Sequence, residues 1–206
     1  RDEIARKSGI HTSGTFTRYL DDLVKCGFIM RYRHFGVNVK GTFYRLTDNY
    51  TLFYFQFVAE NLDGDTRFWT DSLESPFRKT WMGLAFERLC LRHIDQIKAA
   101  LGISGVATEA SAWSKRGGDE DGTQIDLLLS RRDGVLNMCE IKYVGGPFTV
   151  SRTYYSTLLG RQELLASMVS PKVAVRSTLI TTFGLARNEY SGAFTNVVTL
   201  DDLFGN

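Results

Sequence analysis

Hydrophobic residues recur every three to four positions in two stretches near the start of the chain. The first stretch ends at Gly9, and the second follows Thr12 or Ser13 as a helix N-cap and ends at Gly27. Two β-runs joined by a glycine-containing loop come next. Helix, turn, helix and hairpin is the order of a winged helix-turn-helix. The pattern therefore predicts such a domain over 1–58, without the helix that normally precedes this motif.

The second predicted helix would be the recognition helix of that domain. Its start is small and polar, and the hairpin after it carries a local cluster of basic residues, which is consistent with contacts to DNA phosphates. The alternative is a domain that mediates protein contacts only, with its basic side chains solvated. The candidate DNA-contacting residues are Thr12, Ser13, Thr15, Arg18, Arg31, Arg33 and Lys40.

The pattern changes after the hairpin. An aromatic helix is predicted over 50–62, and we assign 59–79 as a connecting segment and 80–206 as a second domain. In the second domain the order is a helix over 80–101, three strands, a helix over 154–169 and one or two further strands. Hairpins followed by a crossover imply a mixed sheet flanked by helices. The predicted fold class is α/β, or α+β over the whole chain.

Composition narrows the cellular setting but not the function. The chain has 206 residues, of which 43% are hydrophobic and 23% charged, as in ordinary globular proteins. Its three cysteines are far apart, which predicts a reducing cytoplasm and neither a disulfide framework nor a zinc site. A net charge of +2 does not by itself indicate nucleic acid, and no run is long enough to span a membrane. Because the opening residues already read as helix, we expect a fragment of a longer protein.

The stretch "TQIDLLLSRRDGVLNMCEIKY" carries charges on otherwise apolar strands. Glu140 and Lys142 share one strand face, opposite to Cys139 and Ile141. An unpaired buried charge costs several kcal/mol. Either these charged residues lie on a solvated face, or a cation holds them.

Strand register decides which of these charges meet. With a turn centred near Asp133, Asp126 lies directly opposite Glu140 and shares its own face with Gln124 and Leu128. Like charges directly opposite each other destabilise a sheet, and a divalent cation removes the repulsion. Oxygen-only ligation suits Mg²⁺ or Mn²⁺.

The motifs "QID" and "CEIK", on successive strands, resemble those of the PD-(D/E)xK nuclease superfamily, whose fold is restriction-endonuclease-like. Glu87, within "GLAFERL", matches the acidic residue that the first helix often adds, whereas Ile125 stands in place of the proline. The chain as a whole resembles the C-terminal region of archaeal-type AAA-like ATPases. That resemblance places a P-loop ATPase domain of the same protein, and its ATP, upstream of Arg1.

The resemblance implies metal-dependent hydrolysis of DNA. Asp126 and Glu140, with the backbone carbonyl of Ile141, would bind Mg²⁺ or Mn²⁺, Lys142 would position or polarise a water, and Glu87 would be a further ligand. The helix after the second strand often supplies another polar residue. The candidates for that role are Arg161 and Gln162, which are equally compatible with facing solvent.

Two alternatives to this assignment stay open. Glu87 is also compatible with an exposed carboxylate paired with Arg88 or Arg92. Asp126, Glu140 and Lys142 are also compatible with a structural salt bridge in an inactive nuclease fold. Such a fold would serve as a non-catalytic DNA-binding or protein-interaction tail that regulates the ATPase.

Overall fold

The computed structural model describes residues 1–33, 35, 43–61, 64–115 and 123–205. The chain divides into two compact units, one of Arg1–Arg33 and Asn38–Trp81, the other of His34–Val37 and Met82–Asn206. Within the described ranges, none of the helices has the length and apolar character needed to cross a bilayer.

The first unit opens with two helices and a hairpin, as the sequence predicts. These elements are α1 (Asp2–Ser8), α2 (Gly14–Lys25), β1 (Ile29–Tyr32) and β2 (Phe43–Leu46), with β1 and β2 antiparallel. Gly9 ends α1 at a φ of 70°, a left-handed conformation that favours glycine. Ser13 begins α2, since its hydroxyl accepts a hydrogen bond from the Phe16 N–H at 3.2 Å. The buried residues of these elements are Ala5, Phe16, Leu20 and Ile29.

The aromatic helix is shorter than predicted. It consists of α3 (Asn49–Phe53) and a π-helical turn over Tyr54–Val58, so the predicted end at 62 is wrong. The wider turn closes where the Ala59 N–H donates to the Tyr54 carbonyl at 2.8 Å. Its aromatic residues form a cluster with ring centroids 5.0–5.9 Å apart, namely Phe53 and Phe57 with Trp69 and Trp81.

The second unit is built on a mixed sheet of five strands in the order β3-β4-β5-β6-β7. The pairs β3/β4 and β4/β5 are antiparallel, and β5/β6 and β6/β7 are parallel, so the predicted mixed sheet is confirmed. The elements are α4 (Pro76–Arg92), α5 (Ile94–Ala100), β3 (Thr108–Lys115), β4 (Thr123–Arg131), β5 (Val135–Lys142), α6 (Arg152–Met168), β6 (Ala174–Thr181) and β7 (Asn196–Thr199).

Helices cover both faces of this sheet. Leu127 and Cys139 pack in one cluster with residues of α4 and α5, whereas Leu128 and Met138 pack in another with residues of α6. Alternate residues of β4 and β5 therefore belong to opposite layers, which explains why both strands are almost continuously apolar. The α/β class is thus confirmed.

The helix predicted over 80–101 is two helices. It begins earlier, at Pro76, and breaks at His93, where φ is −112° and ψ is 35°. The His93 ring Nδ1 lies 2.8 Å from the Leu89 carbonyl oxygen, while the His93 backbone N–H turns to the Cys90 carbonyl at 3.0 Å. The His93 side chain thus contacts the Leu89 carbonyl, which the His93 backbone N–H would use as its acceptor if the helix continued.

Candidate functional site

The β4–β5 hairpin has the register that its turn predicts. The strands pair from Ser130 with Leu136 to Leu127 with Cys139, which centres the turn on Asp133. The predicted pairing of Asp126 with Glu140 lies one position beyond the last paired residues and stays a prediction.

A β-bulge changes the direction of β4 at Asp126. On the β3 side, Ser111 pairs with Leu128 but Trp113 pairs with Ile125, so β4 has one extra residue between these pairs. Ile125 and Leu128 consequently pack in the same cluster, which regular alternation forbids. The prediction that exposed Gln124 shares a face with Leu128 is therefore wrong, because the bulge reverses the alternation.

The Asp126 carboxyl lies in an unfavourable electrostatic environment. Burial, and then the neighbouring carboxylates of Glu87 and Glu140, raise its pKa to about 6. Lys142 and a hydrogen bond from the Ile141 backbone N–H act in the opposite direction but do not compensate. Two neighbouring carboxylates therefore act on Asp126 at the point where the paired part of the hairpin ends.

Glu140 is buried, with only 2% of the residue exposed, and both of its carboxylate oxygens have partners. Oε1 forms an ion pair with Arg161 Nη1 at 2.8 Å. Oε2 accepts a hydrogen bond from the Tyr154 hydroxyl at 2.7 Å and lies 3.7 Å from Lys142 Nζ. These contacts hold the carboxylate in one orientation.

Tyr154 links the two charged residues of β5, and the sequence interpretation missed it. Its hydroxyl bonds to Glu140, and its ring centroid lies 5.4 Å from Lys142 Nζ. Burial, followed by the Glu140 carboxylate, raises the Tyr154 pKa, so the phenol remains a hydrogen-bond donor. The available signal is spacing, because Tyr154 and Arg161 are seven residues apart, or two turns on one face of α6.

The remaining predicted residues of this unit have defined partners. Glu87 is 9% exposed, so the alternative of an exposed helix carboxylate is wrong. Gln162 donates to the Val175 carbonyl at 3.3 Å and accepts from Ser177 Oγ at 3.1 Å, and these bonds tie α6 to β6. Since Arg161 pairs with Glu140, neither of these two α6 residues simply faces solvent.

The candidate DNA-contacting residues belong to the first unit. Thr12, Thr15 and Arg18 are exposed near the start of α2, whereas the Ser13 hydroxyl caps that helix. In the hairpin, Arg33 is exposed, and Lys40 lies outside the described residues. Arg31 forms an ion pair with Asp21 and lies 6.0 Å from the centre of the Tyr44 ring, which reduces its availability to a phosphate.

Over the described ranges, no group of three or more His, Cys, Asp or Glu side chains has the arrangement of a ready metal site. The carboxylates of Glu87 and Glu140 both act on Asp126, but the three groups do not converge as a ligand cage. A cation would require adjustment of these side chains.

Comparisons with known proteins do not assign the chain to a family. No family model matches it, and no curated protein does. One matching solved structure is the "Crystal Structure of Protein of Unknown Function AF1548", with 17% identity, a TM-score of 0.34, and coverage of 53% of this chain and 56% of that one. A likeness of this degree carries no conclusion about fold or activity.

Proposed function

We propose that the second unit is a metal-dependent DNA nuclease with a restriction-endonuclease-like fold of the PD-(D/E)xK type. The observation that carries this proposal is the carboxylate cluster at the end of the β4–β5 pairing, where burial and two neighbouring carboxylates raise the pKa of Asp126 to about 6. Such a cluster is unfavourable by itself, because poorly solvated like charges repel. Its oxygen ligands and its charge suit Mg²⁺ or Mn²⁺.

Each charged side chain has a role in this proposal. Asp126 and Glu140 would hold the cation, with Glu87 and the Ile141 carbonyl as further ligands. When bound, the cation supplies a water of lowered pKa and neutralises charge on the phosphate. Lys142, about one-third exposed, is available to orient that water or contact the phosphate.

Two further side chains act on Glu140 without touching substrate in this proposal. Tyr154 and Arg161 are positioning residues, because each bonds to one Glu140 oxygen. Hydrogen-bonded partners of this kind orient metal ligands in many sites.

A second candidate function is a non-catalytic DNA-binding or regulatory tail with a degenerate nuclease fold. The observation that favours it is the complete pairing of Glu140, since Arg161, Tyr154 and Lys142 satisfy this carboxylate without a metal. A buried ion pair of this kind is compatible with a purely structural role.

The first unit enters the proposal as a winged helix that contacts DNA. This part of the proposal is supported by the order of α1, α2 and the hairpin, and by the exposed start of α2. Arg18 is a better candidate for a phosphate contact than Arg31, which is paired with Asp21. We further propose that this chain works in the cytoplasm behind an upstream ATPase domain of the same protein.

The nuclease proposal is tested by DNA cleavage with and without Lys142. We expect the 206-residue chain to cleave labelled DNA in Mg²⁺ or Mn²⁺ but not in EDTA. Lys142→Met should lower the rate about 100-fold or more, as expected for loss of a group that assists proton transfer or stabilises charge. The rates are measured by gel electrophoresis under single-turnover conditions.

Lys172→Met is the matched control, because Lys172 is an exposed lysine outside the carboxylate cluster. It removes the same charge and should leave the cleavage rate unchanged. Absence of metal-dependent cleavage by the unmodified chain, or equal rates for the Lys142 and control variants, would favour the non-catalytic alternative.

A further inference from the structure

The segments that follow β5 and β6 form a second surface beside the candidate site. Because these strands are parallel and Lys142 pairs with Thr181, both segments leave the same edge of the sheet. We call residues 143–148 and 182–187 the rim. The rim thus begins directly after Lys142.

Hydrogen bonds hold the two halves of the rim together. The Thr182 hydroxyl accepts from the Val144 N–H at 3.1 Å and donates to the Val144 carbonyl at 2.5 Å. The Phe148 N–H donates to the Gly184 carbonyl at 2.8 Å, and the Ala186 N–H donates to the Phe148 carbonyl at 2.9 Å. The rim is therefore a bonded pair of segments.

The rim is also attached to the carboxylate cluster. The Phe148 ring packs edge-to-face on Tyr154, with the ring centroids 5.5 Å apart. Tyr154 in turn donates to Glu140 at 2.7 Å. A ligand on the rim would consequently lie close to the residues proposed to act on DNA.

Two large aromatic side chains are exposed on the rim. Phe183 is 62% exposed and comes two residues after Thr181. Tyr143 is 42% exposed, but its ring packs on Phe86 of α4 with the centroids 6.1 Å apart, on the sheet face opposite to Lys142 and Tyr154. Exposed aromatic side chains beside a nucleic-acid path are platforms on which unpaired bases stack. In duplex DNA the bases are already stacked on one another and do not offer their faces.

The charge around these aromatic residues suits a phosphate backbone. Arg152 and Arg187 are exposed. The side chain of Asn188, next to Arg187, donates a hydrogen bond at 2.7 Å to the carbonyl of Val150, two residues before Arg152, and so links the two segments. Glu189 is the one acidic residue within 143–152 and 182–190 of the sequence, and it interacts with Tyr190. The backbone at Gly145 and Gly146 is open, so a phosphate can approach it.

We propose that the rim binds single-stranded DNA, with an unpaired base stacked on Phe183 and phosphates held by Lys142, Arg152 and Arg187. This inference rests on the proposed function and narrows it to unpaired or frayed strands. The surface presents the combination of aromatic and basic groups by which single strands are recognised without sequence preference.

The test is fluorescence anisotropy with the whole 206-residue chain in EDTA, so that binding is measured without cleavage. The probes are a labelled 20-nucleotide oligo-dT and a blunt duplex of the same length. We expect Phe183→Ala to weaken oligo-dT binding about 5- to 100-fold, as for loss of one stacked base. Duplex binding should change less than twofold, and Phe183→Trp should retain single-strand affinity.

Phe204→Ala is the matched control, because Phe204 is 61% exposed but packs beside His93, outside the rim. It should bind oligo-dT like the unmodified chain, and thermal melting should verify that all variants are folded. Unchanged oligo-dT binding by Phe183→Ala would overturn the proposal, as would tighter binding of oligo-uridine than of oligo-dT.

This experiment separates the rim from the nuclease proposal. Loss of oligo-dT binding in Phe183→Ala, without cleavage by the unmodified chain, would support the rim and reject the nuclease. Metal-dependent cleavage with unchanged oligo-dT binding in Phe183→Ala would support the nuclease and reject the rim.

Discussion

Replacement of Asp126 by asparagine should stabilise the metal-free protein at pH 7 to 8. The folded-state pKa of Asp126 is about 6, above its ordinary value of 3.8, so the folded state binds this proton more tightly than the unfolded state. The contribution of Asp126 to the free energy of unfolding therefore falls as pH rises from about 4 to about 6. Asparagine does not titrate, so at pH 7 to 8 the Asp126→Asn variant should be more stable than the unmodified chain by about 2–3 kcal/mol.

The measurement is urea unfolding in EDTA between pH 3.5 and pH 8. The Asp126→Asn variant and the unmodified chain should be almost equally stable below pH 4 and should diverge above it. Asp133→Asn is a control of opposite sign, because the Arg131 side chain lowers the pKa of Asp133 in the same hairpin. That variant should lose stability at neutral pH. An Asp126→Asn variant that is less stable than the unmodified chain at pH 8 would contradict the charge-cluster account.

Arg161→Met should be the most destabilising single change at the site. It removes the guanidinium that lies 2.8 Å from a carboxylate oxygen of Glu140, a residue only 2% exposed. Removing one partner of a buried pair leaves the Glu140 carboxylate with only Tyr154 and the more distant Lys142, and the loss should be about 3 kcal/mol. The double variant Glu140→Gln/Arg161→Met should recover most of that stability, because it contains neither charge. Urea unfolding at pH 7 in EDTA gives the coupling free energy of the pair.

The control is Arg152→Met in the first turn of the same helix. Arg152 is exposed, so its loss should change stability by less than about 0.5 kcal/mol. If Arg161→Met were equally mild, or if the double variant were no more stable than Arg161→Met, the ion pair would not hold Glu140 as we describe.

Local rules predict the hairpin and its register. The turn "SRRDG" ends in Gly134, which has a φ of 81°, and the apolar strands on either side are both covered by helices. Once the turn is centred on Asp133, pairing by steps of one residue gives every pair from Ser130 with Leu136 to Leu127 with Cys139. These features depend on residues close to one another in the chain, so the sequence is enough.

The rest of the site depends on contacts between distant segments. The bulge at Asp126 arises from pairing with β3, where the register changes between Ser111 and Trp113, and no feature of β4 alone reveals it. Arg161 and Gln162 are neighbours in sequence, yet one reaches Glu140 and the other reaches β6, because the rotation of α6 decides between them. Helical spacing marks Tyr154 and Arg161 as neighbours but does not identify Glu140 as their common partner.

The most direct test of the central claim is a calorimetric titration of the 206-residue chain with Mg²⁺ and with Mn²⁺, at pH 7.5, alongside Asp126→Asn and Glu140→Gln. We expect the unmodified chain to bind a divalent cation and both variants to lose that binding, because each removes one carboxylate from the cluster. Heats that are the same in all three proteins would contradict a cation site at Asp126 and Glu140. An unmodified chain that binds neither ion, even with oligo-dT present, would leave the degenerate, non-catalytic fold as the better account.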